Sequence, residues 1–117
     1  MTLHSKYHYN PKRAMPDSLD IEIANMPPDT LGIKLDQNQP NPFVNLTEIQ
    51  YFVSQQVPVK LVLYDYNGRE IAILIDKYIK PGWHSLIVNG SGLTQGAYIL
   101  TLEAGGKTVS KTIHRRD

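Results

Sequence analysis

Four histidines, with scattered hydroxyls and carboxylates, are the side chains that could do chemistry in this chain. Their spacing argues against it. His4 and His8 stand four apart, which on a helix would put two imidazoles on one face for a metal. Asn10-Pro11 and the interleaved Tyr7 and Tyr9 oppose a helix, and no nearby carboxylate completes a ligand set. His84 and His114 fall in separate extended segments and read as surface or rim histidines. Ser85, Ser91 and Ser110 are nucleophiles in name only, since none sits in a G-x-S-x-G elbow. Asp29, Asp36, Asp65 and Asp76 stand singly beside turns, so there is no facing carboxylate pair and no D-x-D-x-D-G calcium loop. Gly90-Ser91-Gly92 precedes no helix and so makes no phosphate cradle. Zero cysteines remove disulfides and thiolate chemistry. The expectation is a non-enzymatic protein with no cofactor and no metal.

Charge narrows the partners. Twelve Lys+Arg against eleven Asp+Glu leave +1, so no global field recruits nucleic acid. Lys111, His114, Arg115 and Arg116 make only a small cationic end. No apolar run approaches the roughly 20 residues that cross a bilayer, so direct membrane insertion is not expected. Residues 1–15 lack an apolar h-region and do not read as a secretory signal. Protein partners remain.

The elements that must position these residues are strands. From Leu31 onward turn residues recur every eight to twelve positions, as in a sandwich or barrel. Leu31–Leu35 is a short edge strand, and Gln37–Phe43 is a loop stiffened by Pro40 and Pro42. Thr47–Val53 alternates Ile49, Tyr51 and Val53 against Glu48 and Gln50, which gives one wet face. Val57–Tyr66 (VPVKLVLYDY) is more continuously apolar and β-branched or aromatic, a central strand buried on much of both faces. Asn67-Gly68 then predicts a type I′ hairpin, with Arg69–Asp76 returning. Trp83–Asn89, Ala97–Ala104 and Lys107–His114 follow, separated by turns at Asn89–Gly92 and Gly105-Gly106. The fold class is all-β, an immunoglobulin-like antiparallel β-sandwich of about seven strands with an extended N-terminal arm.

The stretch Leu35-Asp36-Gln37-Asn38-Gln39-Pro40-Asn41-Pro42-Phe43 resembles the L-x-Q-N-x-P-N-P-F opening of type IX secretion system C-terminal sorting domains. Val59-x-Leu61-x-Leu63-Tyr64-Asp65-x-x-Gly68-Arg69 is similar to that family's hairpin, and Pro81-Gly82-x-His84 to the turn after it. Gly96-x-Tyr98 resembles its G-x-Y step, and Lys107 and Lys111 stand where the family carries lysines. The likeness spans residues 31–114, with Asn89-Gly90 where Trp-Asp-Gly is usual. The related immunoglobulin-like domain of the flagellar hook-capping protein shares the hairpin pattern. The resemblance implies a domain read by an outer-membrane translocon, with its cargo released or anchored at the cell surface. Asn38, Pro40, Asn41, Pro42, Phe43, Tyr64, Asp65, Gly68, Arg69, Gly96, Tyr98 and Lys111 are its motif residues here.

Three segments are expected: an arm or linker at 1–18, a short strand and Pro-rich linker at 19–30, and the sorting-type domain at 31–117. The short strand is Leu19-x-Ile21-x-Ile23, stopped by Pro27-Pro28. The arm is either a partner-binding extension or the remnant of an upstream domain. As an extension it would be disordered alone, and would dock on a neighbour through Tyr7, Tyr9, Lys12 and Arg13. Ser18 and Thr30 lie in Asp-Ser/Thr-aliphatic triplets, the O-glycosylation pattern of bacteria with type IX secretion. An alternative expectation makes the chain a small structural or accessory subunit that uses the same fold as a protein-binding module.

Overall fold

The computed structural model describes the backbone of residues 4–9 and all of residues 31–117. Among these residues, eight strands form two antiparallel four-stranded sheets: β1 (His4–Tyr9), β2 (Ile33–Leu35), β3 (Leu46–Val53), β4 (Val57–Asp65), β5 (Glu70–Ile79), β6 (Gly82–Asn89), β7 (Gly96–Ala104) and β8 (Lys107–Arg115). The first sheet runs β1-β6-β3-β2 and the second β5-β4-β7-β8. Strands β2 to β8 are the seven that the sequence predicts.

Period-two patterning decides which side of each strand is dry. Ile49, Tyr51 and Val53 of β3 face Val59, Leu61 and Leu63 of β4 and Leu100 and Leu102 of β7 across one continuous core. β4 is central, as its continuous apolar run requires, and Val62 is buried even on its outer face, between Ile73 and Thr101. Phe52 and Trp83 face outward from the first sheet as a cross-strand pair, rings 5.3 Å apart.

Three of the four sheet edges, β5, β8 and β2, carry a device against unwanted pairing. β5 slips register against β4 twice, between Leu61 and Val62 and between Leu63 and Tyr64. β8 places Lys111 opposite Leu100, in the inward row between Val109 and Ile113. β2 is only three residues long.

Residues 4–9 correct one expectation. The sequence predicts an arm that is disordered in the free chain and orders only on a neighbour. Instead His4–Tyr9 pairs along β6 of its own sheet, from His4 opposite Asn89 to Tyr9 opposite His84. In that register Tyr7 stands opposite Leu86 and Tyr9 opposite His84. Lys12, Arg13, Ser18, Thr30 and the strand expected at 19–23 lie outside the described residues.

Candidate recognition surface at the carboxy-terminal strand

The proline loop between β2 and β3 joins the two sheets. On one side Gln39 N–H donates to the Glu48 carbonyl at 2.9 Å, and Glu48 N–H donates back at 2.7 Å, tying the loop to β3. On the other side the loop runs beside the end of β8. Gln37 Nε2 donates to the Thr112 carbonyl at 2.9 Å, and His114 N–H donates to Asn41 Oδ1 at 2.9 Å. Phe43 N–H donates to the His114 carbonyl and Arg116 N–H to the Phe43 carbonyl, both at 2.9 Å. Arg115 Nε adds a bond to the Val44 carbonyl at 2.9 Å. The last strand of the chain is thus stitched along its outer side by the N-x-P-N-P-F segment.

Inside the loop Asn38 is completely buried and its amide is satisfied. Nδ2 donates to the Pro40 carbonyl at 3.0 Å and to Thr47 Oγ1 at 2.9 Å, while Oδ1 accepts from Gln37 Nε2 at 2.8 Å. Thr47 Oγ1 also donates to the Pro40 carbonyl at 3.0 Å. The Gln39-Pro40 and Asn41-Pro42 bonds are both cis. Phe43, 1% exposed, fills the end of the core beside Leu93 and Gly90.

A polar cleft of about 430 Å³ opens next to the loop, bordered by Gln37, Gln39, Glu48, Gln50 and Lys111. Lys111 Nζ has no salt-bridge partner among the described residues. Lys107, at the start of the same strand, is different: its Nζ donates to the Leu31 carbonyl, a structural tie.

The remaining motif residues build the far hairpin and one strand start. Asp65 Oδ1 accepts from the amides of Asn67 and Arg69, each at 2.9 Å, and Oδ2 takes Arg69 Nε at 2.9 Å. The Arg69 amide leads these effects, and together they hold the Asp65 carboxyl below its ordinary value. The turn is not the type I′ that Asn67-Gly68 predicts. Asn67 does not have positive φ, and in this turn only Gly68 does, at +89°. Gly68 N–H donates to the Asp65 carbonyl at 3.0 Å, so Tyr66-Asn67 form the turn and Gly68 is the left-handed residue after it. The Asp65 side chain favours this longer loop by capping two of its amides. Tyr64 borders this hairpin, half-buried on the outer face. Gly96 opens β7 opposite Arg115, and Tyr98 packs into the core with its hydroxyl donating to the Thr94 carbonyl at 2.7 Å.

His84 also departs from expectation. It is a core residue, 1% exposed, stacked on Tyr51 with centroids 5.4 Å apart, and its Nε2 lies 2.7 Å from the Lys80 carbonyl. Burial lowers its pKa from 6.5, with Lys77 adding to the effect against the Lys80 hydrogen bond. His114 is exposed, and Ser85, Ser91 and Ser110 lie apart from one another.

Fold and motif geometry define a class: a two-sheet β-sandwich whose sequence-specific residues are spent on a loop, a hairpin and the last strand. The profile of the secretion system C-terminal sorting domain matches residues 39–115, well over half of the chain. The chain belongs to that family. No curated protein matches it. Among solved structures it is similar to a conjugative transposon lipoprotein from Bacteroides eggerthii, 8% identical, covering 74% of this chain and 97% of that one at a TM-score of 0.47.

Proposed function

We propose that this domain is a non-enzymatic C-terminal sorting module, read by the type IX outer-membrane translocon, that directs a cargo to the cell surface or the medium. The observation that carries this reading is the stitched seam. The proline-loop residues of the family motif converge on β8, tied to it by the Asn41 side chain and the Phe43 backbone. Such a surface suits recognition of a folded shape and its strand ends, where main-chain groups give affinity and flanking side chains give specificity. No reactive side chain is needed for it.

The test is a fusion. The full chain is joined to the C-terminus of a folded, leader-bearing reporter in a bacterium with a type IX system and in an isogenic translocon-deficient strain. Reporter at the surface or in the medium of the first strain only is the expected result. Periplasmic retention in both strains, or equal export from both, overturns the reading.

A further inference from the structure

β6 has two neighbours, and they are held differently. On one side β3 pairs with it over its whole length, from Val53 opposite Gly82 to Leu46 opposite Asn89. On the other side stands β1, whose only sheet partner is β6. Among the described strands β1 is also the one whose sequence has no aliphatic residue, HSKYHY. The strand it covers is among the best buried in the molecule, with Trp83, His84, Ser85, Leu86 and Val88 all at 8% exposure or less. Without β1, the amides and carbonyls of His84 to Asn89 would form an open edge beside the core, the kind of edge to which an extended chain adds.

The connection to β1 permits exchange. Tyr9 shares a row with His84, Tyr51 and Leu35, and Ile33 pairs two residues further along with Val53. β1 therefore ends and β2 begins at the same end of the first sheet, on opposite edges, three strand spacings or about 14 Å apart. Residues 10–32 have a contour length of up to about 80 Å, far more than that crossing requires.

From this placement we infer that the β6 edge is a strand-accepting docking site, and that the partner it fits is the His4–Tyr9 segment of a second copy of this chain. The occupant's chemistry is fixed by the register: a strand with aromatic residues at alternate positions opposite Leu86 and His84. A second copy carries that strand by identity, and exchanging an identical element is a low-cost route to a dimer. Being part of the same molecule gives the strand an effective concentration on the order of millimolar. Exchange therefore sets in when chains are crowded to that level, or when the connection is too short to close within one molecule.

Two experiments test the inference. The chain has no cysteine, so Lys6→Cys and Ile87→Cys, opposite each other in the register, can be made in separate molecules and mixed. At near-millimolar concentration in a thiol-disulfide buffer, the mixed disulfide should exceed that of a control pairing Lys6→Cys with Tyr78→Cys, which is exposed on β5. The second uses deletion of residues 11–30, which leaves only Asn10 between Tyr9 and the buried Leu31, about 7 Å of chain. That variant should be a dimer by light scattering at micromolar concentration. A mixed disulfide no more abundant than the control overturns the inference. So does a folded, monomeric deletion variant.

Discussion

Phe43 lies directly against Gly90. A Cβ built on Gly90 would stand 2.8 Å from Phe43 Cε2 and 3.0 Å from Leu93 Cδ1. Gly90 does not have positive φ, so its constraint is space and not backbone conformation. Its amide donates to the Asn45 carbonyl at 2.8 Å, which draws the loop after β6 onto the loop before β3. Gly90→Ala should cost about 1–3 kcal/mol through overpacking. Phe43→Ala, which empties the same place, should cost about 3–5 kcal/mol. Because the clash needs both partners, the double variant should be markedly less unstable than the sum of the two. Urea midpoints of the four-member cycle measure this, and simple additivity would show that the two residues do not press on one another.

Asn38 gives a second prediction, on polar satisfaction. Its side chain makes three hydrogen bonds in a place water does not reach. Asn38→Ala leaves Thr47 Oγ1 and the Pro40 carbonyl one partner short, which should cost about 1–3 kcal/mol. Thr47→Val removes one member of the same network and should not add its full cost on top of Asn38→Ala. Chemical denaturation of the single and double variants decides it. A cost near zero for Asn38→Ala would mean that the loop repacks without its amide.

Much of this architecture is legible from alternation, because each strand from β3 onward buries one face and the period survives in the residues. Turn chemistry is legible as location more than as type. Asn67-Gly68 marks the hairpin, but the competing cap from Asp65 selects a longer loop than the pair alone implies. β1 is hidden because its sequence, HSKYHY, holds no aliphatic residue, so no aliphatic ladder shows. Tyr7 and Tyr9 were nevertheless two apart, and that period was the available cue. His84 was misplaced for a related reason. Its polarity suggested a rim, while its place two before Leu86 and four before Val88 already put it on the dry face. The seam between the proline loop and β8 joins residues some 70 positions apart, and no local pattern encodes that contact.

His84 makes stability depend on pH. Its folded-state pKa lies below 6.5 because burial disfavours the imidazolium, and the nearby Lys77 ammonium acts in the same direction. As pH falls from about 6.5, the unfolded chain takes up this proton before the folded one does. Stability should therefore be fully present above pH 6.5, decline as pH drops below it, and stop declining on this account beneath the folded-state value. His84→Phe removes the titration and keeps a ring against Tyr51. The difference in urea midpoint between wild type and His84→Phe should be flat from pH 8 to about pH 6.5 and shift as pH falls from there to 5. A constant difference across that range would exclude His84 as the source.

Lys111 separates folding from recognition. It occupies an inward row of an edge strand, flanked by Val109 and Ile113, with no salt bridge among the described residues. A stability argument alone would put an aliphatic residue there, since the row continues into Leu100 and Leu102 on β7. Lys111→Leu should leave the urea midpoint unchanged or raise it, because it adds apolar contact and removes a half-buried charge. The same substitution should cut type IX export of a fused reporter several-fold, if the cleft beside the proline loop is part of what the translocon reads. Lys111→Arg keeps the charge and should retain most of the export. Lys60→Leu, on the outer face of the same sheet, serves as the control and should leave export intact. Undiminished export with Lys111→Leu would confine the lysine to protecting the β8 edge, and an equal loss with Lys60→Leu would mean that surface charge in general is being sensed.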